Sequence, residues 1–174
     1  MKNLANKLTV LRIILVPVFL LLEYTGHSVA AFVVYVLASL TDLVDGYIAR
    51  HYNQVTVFGK FMDPLADKML VLSAMCFLIE TGIMPAWAVA AVIFREFAVS
   101  GLRLMAAQKN IVIAAAQSGK IKTACTMVCV CLMLFFLSRP IPLLNGICIA
   151  LIVVTTLYSG FEYFKNNIQV FKES

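Results

Sequence analysis

Six stretches of the chain are dominated by apolar side chains: about Leu8 to Tyr24, Val29 to Ala49, Phe61 to Ile79, Pro85 to Ala107, Ile121 to Leu137 and Leu143 to Phe164. Each comes close to the length of about 20 residues that a helix needs to cross the hydrocarbon core of a bilayer. Between the runs stand residues with turn chemistry, namely Thr81-Gly82 with Pro85, then Gln117-Ser118-Gly119, then Ser138-Arg139-Pro140. The pattern predicts an all-α integral membrane protein, six transmembrane helices joined by short connections in a single membrane domain covering residues 1–174. The first run follows Lys2 and Lys7 as a secretory leader would. Arg12 and Pro17 interrupt it, however, and no small-x-small cleavage site precedes the polar stretch Glu23 to Ser28, so it is expected to be retained.

Composition limits what such a chain can do. Of 174 residues, 62% are hydrophobic and 13% charged, with a mean hydropathy of +0.94. That is too apolar to cover a soluble domain, and six crossings of about 20 residues leave no room for a separate catalytic domain. Any chemistry therefore falls to the 14 basic and 9 acidic side chains, inside or at the edge of the bilayer.

The basic residues set the orientation. With the N-terminus inside, Lys2, Lys7, Arg50, Lys60, Lys109, Lys120, Lys122, Lys165 and Lys172 all lie on the cytoplasmic side, and only Arg139 lies outside. Since basic residues are retained in the cytoplasm, both termini are expected there. The net charge of +5 then reflects topology and anionic lipid, not nucleic acid, for which no basic stripe with stacking aromatics is present. Cys76, Cys125, Cys129, Cys131 and Cys148 occupy apolar runs without metal-ligand spacing and are read as packing residues. His27 and His51 fall in connections and are read as surface residues.

Four acidic residues, Glu23, Glu80, Glu162 and Glu173, lie at helix ends or in the tail, where a carboxylate is cheap to place. The aspartates differ. Asp42 and Asp45 are three apart and Asp63 and Asp67 four apart, so each pair shares one face of its helix. A short connection can bring the two faces together. Four clustered carboxylates cannot all stay ionised in a low dielectric without cations, and oxygen-only donors suit Mg²⁺ or Mn²⁺, four of them suiting a two-ion site. Asp45 lies only about 7.5 Å from the cytoplasmic end of its helix. That is headgroup depth, whereas a small ion transporter would more often hold its acids near the midplane between broken helices. A structural ion-pair cluster using Arg50, Lys60 and Lys68 is the other reading of these charges.

Together these residues spell Asp42-x-x-Asp45-Gly46-x-x-Ala49-Arg50, eight residues, then Gly59-x-x-x-Asp63-x-x-x-Asp67. The pattern resembles the signature of the CDP-alcohol phosphotransferase family. The resemblance implies a six-helix membrane enzyme, usually a homodimer, that uses two divalent cations to transfer a phosphoalcohol group from a CDP-linked donor and releases CMP. It assigns the metals to Asp42, Asp45, Asp63 and Asp67, with Asp67 also the base that deprotonates the acceptor hydroxyl. It places Gly46, Ala49, Arg50 and Gly59 along the donor nucleotide and diphosphate. Asn6-x-x-Thr9-x-x-Arg12, with Pro17, is similar to the family's first helix and adds Asn6 and Thr9 to the nucleotide border.

The acceptor is read from the remaining intramembrane charges. Arg95 and Arg103 are eight residues apart, offset by about 80° around a helix, near enough to border one cavity. Glu96 can partly compensate Arg95. Lys120 and Lys122 open the fifth helix beside Gly119, and being two apart they point to different sides. Such a set suits a phosphorylated acceptor. The segments Arg95-Glu96-Phe97-Ala98-Val99-Ser100-Gly101-Leu102-Arg103, Gly119-Lys120-Ile121-Lys122-Thr123 and Ser159-Gly160-x-Glu162-Tyr163 resemble one branch of the family, the bacterial phosphatidylglycerophosphate synthases, although Thr126 stands where that branch often has glutamine. This implies CDP-diacylglycerol as donor and sn-glycerol 3-phosphate as acceptor, bound by Arg95, Arg103, Lys120 and Lys122. Within the family, phosphatidylglycerol, an inositol compound or serine are the rival acceptors.

Overall fold

Long apolar runs, interrupted only where backbone-permissive residues occur, fold into six helices: α1 (Leu4–Tyr24), α2 (Ser28–His51), α3 (Val57–Glu80), α4 (Ala86–Gln108), α5 (Gln117–Phe135) and α6 (Pro142–Asn166). The structure is a computed structural model; it describes the backbone of residues 4–51, 57–109, 113 and 116–169, and the side chains of these except 4–9, 42–51, 57–64 and 67. The expected helices are all present, but several ends differ. Both α1 and α3 start four residues before their apolar runs, and His51 closes α2 instead of lying in a connection. Gln117-Ser118-Gly119, expected as a break, is the first turn of α5, which follows an extended Ala116 (φ −69°, ψ 146°). The first N–H groups of a helix lack intrahelical partners in any case, so polar residues fit there as well as in a loop.

Helix stops follow local chemistry. Both α1 and α3 are stopped by a glycine with positive φ two residues past the last helical residue, Gly26 at 79° and Gly82 at 73°. In each case the glycine and the next residue donate back to the last helical turn, Gly26 to Glu23 and His27 to Leu22, then Gly82 to Ile79 and Ile83 to Leu78. A residue with a Cβ would be strained at these two positions. Pro142 opens α6, where its missing N–H costs nothing.

Successive helices alternate in direction. At one end the Tyr24 hydroxyl donates to Glu80, joining the C-terminal ends of α1 and α3. At the other, Arg103 near the end of α4 meets Tyr163 near the end of α6. α1 packs on α2 and α3, α5 on α6, and α4 on α6. The main core contains Phe19, Tyr35, Leu70, Leu78, Val92, Val130, Met133 and Ile152, with Phe19 and Tyr35 rings 5.8 Å apart. A smaller cluster of Val99, Leu102, Ala106 and Tyr163 lies toward the Arg103 end.

The polarity of the bundle is unusual in where it sits. Arg12, Glu23, Lys122, Thr126, Asn145, Thr156 and Ser159 are buried, while Leu21, Val29, Trp87, Phe94, Phe97, Leu143 and Phe161 face outward. Glu23 thus departs from expectation: although it is the penultimate residue of α1, it turns into the bundle and is only 6% exposed. Cys129 and Cys148 pack in the core, whereas Cys76 lies on the outer face of α3. Among the described residues, α5 and α6 are long and apolar enough to cross a membrane by length and composition.

Ile152→Ala should lower the thermal midpoint in detergent by the equivalent of about 2–5 kcal/mol, the cost of a cavity in a packed core. Val154→Ala, two residues on but outward, should change it by less than about 0.5 kcal/mol. Equal losses would refute the assignment of inner and outer faces of α6.

Candidate active site

Arg95 and Glu96 sit in the middle of α4, in a helix that runs unbroken from Ala86 to Gln108. Adjacent residues on a helix point about 100° apart, yet the Arg95 side chain folds toward its neighbour and Nη1 donates to Glu96 Oε1 at 2.9 Å. The same oxygen accepts from Lys122 Nζ of α5 at 2.8 Å. The second carboxylate oxygen, Oε2, lies 3.2 Å from Lys68 Nζ of α3. Lys68 also donates to Ser100 Oγ, one turn farther along α4, at 2.9 Å. One carboxylate thereby joins three helices.

The surroundings make these contacts matter. Side-chain exposure is 11% for Arg95, 14% for Glu96 and 6% for Lys122, while Lys68, at 35%, forms the open edge of the cluster. Removing such charges from water is costly unless they are paired and hydrogen-bonded. Lys68, Arg95 and Lys122 against Glu96 leave a net charge of +2. Room for the arginine comes from two glycines. A Cβ at position 119 would lie 3.5 Å from Arg95 Nη2, and one at 160 would lie 3.2 Å from Arg95 Cγ.

The other basic candidates are arranged differently. Arg103 donates from Nε to the Tyr163 hydroxyl at 2.8 Å, with its guanidinium carbon 5.4 Å from the ring centroid. It therefore has its own partner on α6 and is not joined to the Glu96 cluster. Lys122 turns inward and Lys120 outward, as residues two apart on a helix must. Thr126, one turn beyond Lys122, is buried and closes its hydroxyl onto the Lys122 carbonyl at 2.9 Å. An open groove of about 420 Å³ lies between α5 and α6, lined by Ser118, Ile121, Val154, Tyr158 and Glu162 among others; none of the Glu96 cluster lines it.

Asp42 and Asp45 belong to the second half of α2, and Asp63 and Asp67 to the first half of α3, each pair within one unbroken helix. Their side chains lie outside the described residues, as do those of Asn6, Thr9, Ala49 and Arg50 and the surroundings of Gly46 and Gly59. Lys68, the residue after Asp67, is described, and its reach to Glu96 and Ser100 sets the aspartate-bearing part of α3 beside the cation-bearing part of α4.

The sequence model of the CDP-alcohol phosphatidyltransferase family matches residues 2–158. The chain belongs to that family. It is 41% identical to the CDP-diacylglycerol–glycerol-3-phosphate 3-phosphatidyltransferase of Bacillus subtilis (strain 168), with all of both chains covered. Proteins of the same name from Rickettsia typhi and Shigella flexneri serotype 5b are 36% and 38% identical, covering 95% and 92% of this chain and 97% and 92% of their own. This is the family whose signature the spacing of Asp42, Asp45, Asp63 and Asp67 resembles. Motif spacing did not foresee that Glu96 gathers Lys68 together with Arg95 and Lys122. The available signal was four charges placed inside otherwise apolar helices.

Gly160→Val should destabilise the protein by about 1–3 kcal/mol, because the added carbons force the Arg95 stem to move. Gly146→Ala, with nothing within 4 Å of the new Cβ, should be neutral or stabilising by roughly 0.5–1 kcal/mol. Thermal unfolding of the two variants in one detergent separates them, and a tolerated Gly160→Val would show that Arg95 is not held there.

Proposed function

We propose that this protein is a multi-pass enzyme of the bacterial cytoplasmic membrane that transfers the phosphatidyl group of CDP-diacylglycerol to sn-glycerol 3-phosphate, releasing CMP. The observation that carries the acceptor is the Lys68, Arg95 and Lys122 set gathered on Glu96, a cluster of net charge +2 that is buried apart from Lys68 at its edge and lies beside the aspartate helix. A phosphate monoester dianion is the complementary ligand. The names and full-length similarity of the bacterial relatives support the same reading. An apolar exterior on every helix supports six crossings, and the distribution of Lys and Arg supports cytoplasmic termini and a cytoplasmic active site. The enzyme is read as a homodimer, as is usual in the family.

The donor set of Asp42, Asp45, Asp63 and Asp67 fits hard divalent cations, Mg²⁺ or Mn²⁺, because it offers only carboxylate oxygen. Two such ions would neutralise the donor diphosphate and the charge developing on CMP. The chain's own residues do the rest. Asn6, Thr9, Gly46, Ala49, Arg50 and Gly59 border the CDP portion of the donor. Arg95, Arg103, Lys120 and Lys122 are the acceptor-binding residues, Arg95 and Lys122 from within and Lys120 from the exposed rim. Asp67 takes the proton from the acceptor's primary hydroxyl as that oxygen attacks the phosphorus bearing diacylglycerol. The new P–O bond forms as the bond to the bridging oxygen breaks, and CMP leaves with that oxygen.

CMP release from CDP-diacylglycerol should require both glycerol 3-phosphate and Mg²⁺ or Mn²⁺, and chelation by EDTA should abolish it. Equal or faster release with phosphatidylglycerol, serine or an inositol phosphate would overturn the acceptor assignment. Asp67→Asn should lower kcat by at least about 10²-fold, the usual contribution of a general base, while donor binding persists. Near-normal turnover would remove Asp67 from that role.

A further inference from the structure

Glu96 has no part in the reaction described above, yet it touches more of the acceptor's cations than any other described side chain. Its Oε1 accepts from Arg95 and Lys122, and its Oε2 faces Lys68. We infer that Glu96 is a positioning residue that assembles the acceptor's phosphate site before the acceptor arrives. This rests on the glycerol-phosphate reading given above and identifies what makes that site selective for a dianion.

Three considerations carry it. Like charges converging in a space with this little water repel one another, so Lys68, Arg95 and Lys122 would separate without an anion among them. Glu96 supplies that anion and reduces their sum to +2, the complement of a phosphate monoester dianion.

The second consideration is which donors Glu96 leaves unused. Arginine has five N–H groups and lysine three. Arg95 engages Glu96 through Nη1. This leaves the edge formed by Nε and Nη2, whose parallel N–H groups form the fork that grips phosphate in a bidentate way. Arg95 Nε is a buried donor with no hydrogen-bond partner among the described residues. Beside Nη2 stands Gly119, where any side chain would begin 3.5 Å away. Glu96 thus leaves the fork out of its own contact, and glycine at 119 keeps a side chain from crowding Nη2.

The third is the link to the chemistry. Lys68 follows the proposed base Asp67 directly, and its ammonium is held by both Glu96 and Ser100. The contact fixes the register of α3 against α4, and so the distance from the phosphate site to the base.

The test measures CMP release by the full-length enzyme in mixed micelles, varying glycerol 3-phosphate and CDP-diacylglycerol separately. Glu96→Gln keeps the shape of the side chain but loses its charge. It should raise the acceptor KM at least about tenfold, the worth of a charge-assisted hydrogen bond, while the donor KM stays within about twofold. Glu96→Asp, which keeps the charge, should recover part of the loss. An unchanged or lowered acceptor KM in Glu96→Gln, or equal increases in both KM values, would overturn the inference. Should Glu96→Gln not fold, Lys68→Met decides: a raised acceptor KM with the donor KM intact supports the assembly, and no change refutes it. If the unaltered enzyme releases no CMP with glycerol 3-phosphate, the acceptor reading fails and this inference with it. If it does and Glu96→Gln matches it, only the role of Glu96 fails.

Discussion

A carboxylate shared by three cations at the meeting of α3, α4 and α5 is the contact around which the charged half of this bundle is organised. Within an apolar assembly, helices pack by shape alone and have few ways to fix their register. The Glu96 contacts are directional, and each is expensive to break once water is excluded. They tie the helix of Asp63 and Asp67 to the helix of Arg95, and both to the start of α5. The glycines at 119 and 160 belong to the same arrangement, since they leave the volume through which the arginine passes.

The two ends of the bundle are built differently. Around the glycine-terminated ends of α1 and α3 the contacts between helices are mainly aromatic and aliphatic, with a hydrogen bond from Tyr24 to Glu80 and the single carboxylate of Glu23 turned inward. Toward the opposite ends of the helices, charge accumulates in the interior and the aliphatic core thins to a small cluster around Tyr163. That division suits an enzyme whose donor is itself a lipid. The tails need an apolar exterior along the helices, while the headgroups need a polar recess near one surface.

Much of this was legible in the sequence. Helix number and order followed from apolar runs because a long, nearly uninterrupted apolar helix announces itself by composition. Ends were less legible. Gln117 and Ser118 have turn chemistry that serves equally well in a first helical turn, and His51 extends a helix past its apolar stretch. The aspartate signature declared the family through spacing alone. The Glu96 cluster was not declared, because its members come from three separate helices and only their packing brings them together. Adjacency to Arg95 suggests only a local pair, and position alone offers Lys68 only as a structural ion-pair partner. Glu23 was misjudged for a related reason: position near a helix end says nothing about which way the end faces.

The neighbouring placement of Arg95 and Glu96 also bears on how the chain is made. A segment with a lone arginine at its centre is costly to deliver into a bilayer, whereas an arginine followed at once by a glutamate carries its own counterion. Within α4 the pair leaves Arg103, near the C-terminal end, as the charge without a counterion on its own helix. Lys68 has already been synthesised with α3, and Lys122 follows only with α5. The cluster is therefore completed in order of translation, and its last cation arrives with α5.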